Sequence, residues 1–215
     1  MFVYFPSCKF TRACPETSKV IQRALRERYG METDGCCRPG HKALAPGDTA
    51  VTVCHTCAAI IRENVPEAAQ QNLVEFLAEE PDFPFPDLHG EEIALQDCWR
   101  VREQPALHRA ARTVLEKMNA RVVELPENRE SASFCGTFRY SPLLPGNLDL
   151  APRYFQRVQA QLELLPAEEQ QRRLEEYCAA LPANRTACYC NSCLTGLRQG
   201  GTRSVHLLEL AFGTK

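Results

Sequence analysis

The chain has 215 residues, 12 of them cysteine, and sets 25 Lys+Arg against 27 Asp+Glu. Its 44% hydrophobic and 24% charged residues are globular values, which exclude a disordered polar chain, and the balanced charge argues against a nucleic-acid partner. No apolar run approaches the ~20 residues of a membrane span, and the opening MFVYFPSCK lacks the basic-then-apolar order of a secretory signal, so the sequence predicts a cytoplasmic protein.

In chain order, residues 2–5 (FVYF) read as a short buried strand. Pro15 opens a helix carrying Val20, Ile21, Ala24 and Leu25 on one face, with Gly30 as its stop. A strand at Ala50–Val53 runs into Cys54-His-Thr-Cys57, and a helix at Ala58–Glu63 follows. Pro66 is expected to open a further helix with Leu73, Val74, Phe76 and Leu77. The segment PDFPFPDLHG, residues 81–90, is the strongest breaker and marks a domain boundary.

Beyond it the order repeats. Strands are expected at Ile93–Gln96, Arg121–Leu125 and Arg185–Tyr189, the last leading into Cys190-Asn-Ser-Cys193. Helices are expected over Pro105–Met118, with Leu107, Ala111, Val114, Leu115 and Met118 on one side, over 152–164 and over 166–181. The ending SVHLLELAF reads as strand into helix. The fold class predicted is α/β: two pseudo-repeated lobes, residues 1–80 and 91–215 about a linker at 81–90, each a small, mainly parallel sheet with flanking helices.

The cysteines carry the chemistry. In a reducing compartment structural disulfides are rare, and many thiols there bind metal or do redox work. The same order appears twice: a cysteine after a strand (Cys8, Cys98), a loop site (Cys36-Cys37, Cys135), and a closing CxxC (Cys54/Cys57, Cys190/Cys193). Two residues between cysteines let a loop wrap one cation, although the same spacing suits a redox dithiol. Four thiolates suffice for a closed zinc site. The first half offers five, two of them adjacent, which favours a multi-iron cluster.

On these motifs the first half resembles the cysteine-rich CCG domain, and the duplicated chain resembles the B subunit of heterodisulfide reductase. The motifs are YFPSC, GCCRPG and CHTC in the first copy, and QDCWR, FCGTF and CNSC in the second. Three departures stand out. Arg38 takes the place of glycine in the first copy, Phe134 that of the first paired cysteine in the second, and DCWR lacks the family's proline. The resemblance implies a noncubane iron–sulfur assembly of the [4Fe–4S] type on Cys8, Cys36, Cys37, Cys54 and Cys57. It implies a [4Fe–4S] cluster or zinc on Cys98, Cys135, Cys190 and Cys193. It also implies an oxidoreductase that cleaves a disulfide with electrons from an iron–sulfur or flavin partner subunit, without catalytic residues beyond the cluster ligands. An electron-transfer subunit without its own substrate, a zinc-stabilised interaction module and a CxxC thiol oxidoreductase remain open.

Three cysteines stand outside the pattern. Cys14 is expected to cap a helix and Cys178 to lie in the core. Cys188 is a packing residue or a substitute for the missing ligand. His55 is expected to tune the first site or to be solvated, and His206 to sit in the core. Arg38, Arg100 and Arg139 lie near ligand cysteines, either to offset cluster charge or as surface residues. EEQQRRLEE (168–176) reads as a solvated helix face. No dinucleotide, Walker or HExxH motif is present.

Overall fold

A computed structural model describes residues 1–183 and 185–215. Its strands are β1 (Phe2–Phe5), β2 (Glu32–Thr33), β3 (Thr49–Thr52), β4 (Ala69–Asn72), β5 (Glu92–Gln96), β6 (Arg121–Glu124), β7 (Thr186–Cys188) and β8 (Ser204–His206). Its helices are α1 (Cys8–Ala13), α2 (Pro15–Tyr29), α3 (Cys37–Gly40), α4 (His55–Asn64), α5 (Leu73–Glu79), α6 (Pro105–Lys117), α7 (Pro145–Leu150), α8 (Pro152–Gln159), α9 (Ala167–Ala179), α10 (Asn191–Gln199) and α11 (Leu207–Ala211). The strands form two four-stranded sheets ordered β2-β1-β3-β4 and β6-β5-β7-β8, every pair parallel. The predicted α/β class with two pseudo-repeated lobes is therefore borne out: each sheet places its first strand between its second and its third.

The chain divides into two compact units, Met1–Phe76 with Leu143–Gln161, and Leu77–Pro142 with Leu162–Lys215. Residues 143–161 thus pack with the first unit, although in sequence they lie in the second half. Polar contacts hold them there. Glu63, at the end of α4, accepts from the backbone N–H groups of Arg153 (3.0 Å) and Tyr154 (2.7 Å) in the first turn of α8, where exposed amide donors need an acceptor. Asn64 Nδ2 donates to the Leu150 carbonyl at 2.6 Å.

Central strands are buried almost throughout, as parallel strands covered on both faces must be. β5 is EIALQ with only Glu92 exposed, and β7 is wholly buried. α2 begins at Pro15, which lacks the N–H that a first turn cannot use, and ends at Gly30 with φ +63°. α6 buries Leu107, Ala111, Val114 and Leu115 on one face, with Met118 buried beyond its end. Each buried Leu, Val or Met among them contributes about 1.5–3 kcal/mol on leaving water.

The helix expected from Pro66 begins later. Residues 69–72 (AQQN) form an edge strand on β3, and α5 starts at Leu73. Asn72 caps it: Val74 N–H donates to Asn72 Oδ1 (2.9 Å), while Asn72 N–H donates to Glu75 Oε2 (2.9 Å). The ladder to β3 satisfies a polar stretch without hydrophobic alternation, so periodicity gave no strand signal. Among the described residues no helix is long and apolar enough to cross a membrane.

Candidate metal centre

In an open parallel sheet, ligands collect outside the carboxyl ends of strands where the strand order reverses. In the second unit that point lies between β5 and β7. The ladder between them ends at the pair Gln96–Cys188, and two residues farther along each strand stand Cys98 and Cys190. Cys98 leads into a short turn of helix, Trp99–Val101, and Cys190 precedes the first residue of α10. One turn into α10, Cys193 comes onto the same side. The fourth thiol, Cys135, arrives on the loop after β6.

The four sulfurs lie within 4.8 Å of one another. Cys98 Sγ is 3.5 Å from Cys135 Sγ, which is 4.0 Å from Cys190 Sγ. All four residues are 3% exposed or less. Among the described residues this is the group of His, Cys, Asp and Glu side chains disposed to hold a metal ion. Cys193 Sγ also approaches the Phe134 carbonyl at 3.7 Å, and the same carbonyl accepts from Trp99 N–H at 3.0 Å.

Gly136 makes this convergence possible. Its φ is +54°, and a Cβ there would stand 2.2 Å from the Ser192 carbonyl oxygen and 3.0 Å from the Cα of Gly196. Only glycine admits both that backbone and that approach. The loop carrying Cys135 is thereby seated directly on the turn carrying Cys190 and Cys193. Phe134, which fills the position of the absent paired cysteine, is buried and stacks on Tyr177 with ring centroids 4.3 Å apart.

Burial disfavours a lone thiolate, but here the thiols act on one another. Burial pushes Cys98 up, while hydrogen bonding with Cys135 and Cys193 outweighs it and holds Cys98 down to about 7. Burial and their neighbours push Cys135 and Cys193 well above the ordinary thiol range. A cation binding such a set takes thiolates and releases their protons.

The donor set fits a thiophilic metal, either zinc or iron in a cluster, and not a hard cation. A second observation agrees. Asn191, inside the CxxC turn, is 5% exposed, and neither its Oδ1 nor its Nδ2 has a hydrogen-bond partner. A buried amide between two ligand cysteines offers a donor to a charged centre.

The first unit places its cysteines differently. Its ladder ends at Phe5–Thr52, and Cys54 again stands two residues past its strand, as the cap of α4. Cys37, Cys54 and Cys57 are buried and interact. A hydrogen bond with Cys57 holds the Cys37 thiol below the ordinary range, against burial and the nearby Cys54, with Arg38 and Cys36 assisting. Hydrogen bonding to Cys37 and Cys54, with burial, pushes Cys57 up. Cys36 is half-exposed beside Cys37. Cys8 stands three residues past β1, not two, as the first residue of α1, and is exposed. Arg38, at the position of Gly136, donates to the Gly146 carbonyl (3.0 Å) and to Asn147 Oδ1.

The remaining residues sort as follows. Cys14 caps α2 and Cys178 is in the core, its Sγ 3.6 Å from the Leu197 carbonyl. Cys188 is not one of the four thiols; its Sγ turns to the carbonyls of Cys190 and Val205. His55 is buried, not solvated, and His206 is fully buried as the cap of α11. Arg100 lies 4.2 Å from the Phe138 ring centre and Arg139 lies 5.9 Å from that of Trp99. Within 168–176 Leu174 turns into the core, while the charged residues form a salt-bridged outer face, with Arg172 and Arg173 both paired to Glu169.

Sequence reasoning missed Asp97 and Tyr189, the residues just before Cys98 and Cys190. The Tyr189 hydroxyl donates to Asp97 Oδ1 at 2.5 Å. Their positions beside two ligands were the available signal, but nothing in the sequence pairs residues 92 apart. A scan against protein-family models matches none of them, and a search of curated proteins finds no match.

Proposed function

We propose that this chain is an iron–sulfur redox protein of the disulfide-reducing type, with a reactive site in the first unit and a closed centre in the second. The observation that carries the reading is the buried four-thiol set at the switch point of the second sheet, with the same motif order at the ends of β1 and β3. Cys98, Cys135, Cys190 and Cys193 would hold the closed centre. Cys8, Cys36, Cys37, Cys54 and Cys57 would hold the other. Such a centre supplies electrons singly, from a partner iron–sulfur or flavin protein, to a reaction in which a disulfide takes up two electrons and two protons to give two thiols.

The residues divide the labour. Thiols buried to 3% or less admit no substrate, so the second unit stores or relays charge or secures the fold. In the first unit Cys37, Cys54 and Cys57 are buried, whereas Cys36 is half-exposed and Cys8 exposed, so the cysteines that a disulfide could reach lie in this unit. Arg38 places a cation next to Cys37, where it offsets thiolate charge.

A second reading has a specific observation in its favour. Sulfurs 3.5 and 4.0 Å apart match the edge of a tetrahedron around one metal with bonds of ~2.3 Å, which is about 3.8 Å. A multi-iron cluster interposes its own iron and sulfide between the ligands and holds them farther apart. On this reading the second unit carries structural zinc. Anaerobic purification with iron, sulfide and zinc quantification tests both. Brown protein with iron and acid-labile sulfide supports the first. Colourless protein with zinc, unchanged by cluster reconstitution, overturns it in favour of the second.

A further inference from the structure

The β5–β7 ladder ends at Gln96–Cys188, so Asp97 and Tyr189 occupy the next register step, where no main-chain pairing holds the strands. Side chains take over there. Asp97 is fully buried and its carboxylate is a hub. Oδ1 accepts from the Tyr189 hydroxyl at 2.5 Å and from Arg112 NH1 at 3.3 Å; Oδ2 accepts from Arg112 NH2 at 2.7 Å and from the Arg129 backbone N–H at 2.8 Å. Arg112, on α6, is 7% exposed; its Nε and NH2 each donate to Glu124 at 2.6 Å, at the end of β6, and NH1 donates to the His108 carbonyl.

The three segments tied to this carboxylate are the three that deliver the thiols. Asp97 precedes Cys98, Tyr189 precedes Cys190, and Arg129 begins the stretch leading to Cys135. Arg129 is held at φ +49°, a conformation a non-glycine keeps only where its surroundings impose it. A buried carboxylate with every lone pair engaged is rigid and directional. Pro6 and Val53 stand at the corresponding steps of the first unit and cannot make such a link.

We infer that Asp97, Arg112 and Tyr189 form a positioning clamp that sets the separation of Cys98, Cys135 and Cys190 and so fixes the metal affinity of the second-unit site. The inference rests on reading those thiols as a metal centre. None of the three touches the metal; they act by holding the ligand-bearing segments, as partners outside the ligand set do at other metal sites, where their loss costs about 10–100-fold in affinity.

Cobalt(II), added to the full-length metal-free chain under reducing, anaerobic conditions, is the probe. Its thiolate charge-transfer absorption reports four-sulfur coordination, and the difference between wild type and Cys193→Ser isolates the second-unit site. Tyr189→Phe deletes one hydroxyl and is expected to raise the free cobalt needed for half-saturation by about 10–100-fold, while far-UV circular dichroism stays at the wild-type value. Asp97→Asn is expected to raise it at least as much; if that variant loses its far-UV signal, Tyr189→Phe decides alone. A purely structural role would lower the thermal midpoint of metal-free Tyr189→Phe and leave half-saturation unchanged, and that result overturns the clamp. If wild type and Cys193→Ser titrate identically, the metal-centre reading itself fails.

Discussion

The two units share a strand order and a cysteine order, yet they present their thiols in opposite ways. In the second, four sulfurs converge in a buried set behind Phe134. In the first, Cys37, Cys54 and Cys57 are buried while solvent reaches Cys8 and Cys36. Three small differences account for this. Cys98 follows its strand by two residues and Cys8 by three, which places Cys8 on α1. Gly136 lets the Cys135 loop sit on the CxxC turn, whereas Arg38 reaches to α7. Asp97 and Tyr189 bridge the strand ends where Pro6 and Val53 are apolar. One strand order thus carries a converged, buried thiol set in one unit and thiols that solvent partly reaches in the other.

The largest effect should come from the bridge. Among the described residues Asp97→Ala leaves buried Arg112 with Glu124 as its remaining charge partner, and removing one member of a buried pair costs about 3–5 kcal/mol. Val53→Ala, at the step corresponding to Tyr189 in the first unit, should cost about 2 kcal/mol through lost packing. Urea denaturation of both variants compares them; equal losses would mean that the bridge adds nothing beyond packing.

Next is the position where the two motifs diverge. Phe134→Ala removes a ring stacked on Tyr177, at about 3 kcal/mol. Cys36→Ala, at the corresponding half-exposed position, should stay within about 0.5 kcal/mol. Phe134→Cys would restore the paired thiols. If its iron content after reconstitution does not exceed that of wild type, cysteine count alone does not make the site.

Gly136→Ala should follow, at about 2 kcal/mol, because a Cβ must displace the Ser192 carbonyl and accept a strained φ. The same variant should weaken cobalt binding by the second unit. Arg38→Ala should cost about 1 kcal/mol, from half-exposed hydrogen bonds. The reverse ranking in thermal melts would show that the loop is not seated by its glycine.

Much of this was legible in the sequence, for physical reasons. Buried strands ending in CxxC motifs announce themselves through apolar runs and turn residues, and in each unit the CxxC does follow a buried strand. The two short edge strands lacked any such signal: Glu32–Thr33 spans two residues and Ala69–Asn72 is polar. The contrast between the sites was also hidden. It depends on where β1 and β5 stop, to within one residue, and on contacts across 92 residues between Asp97 and Tyr189 and across 86 between Asn64 and Leu150. Counting thiols therefore pointed to the first unit as the better ligand set, while the compact geometry belongs to the second.

The smallest stability effect, and the sharpest question, lies at Cys8. It is exposed, so Cys8→Ser should change the unfolding free energy by no more than about 0.5 kcal/mol. Its chemistry should still distinguish the units. In the metal-free, reduced chain, brief iodoacetamide treatment followed by peptide mass mapping should label Cys8 first and Cys36 next. Cys98, Cys135, Cys190 and Cys193 should be labelled last, because alkylation needs access as well as thiolate. Anaerobic reconstitution with iron and sulfide then poses the question directly. If Cys8 is a ligand of the first site, α1 must bring it toward Cys37, Cys54 and Cys57, and its labelling should fall together with theirs. Undiminished labelling of Cys8, with the three buried thiols protected, would remove it from the ligand set and leave a site open on the side that a disulfide would approach.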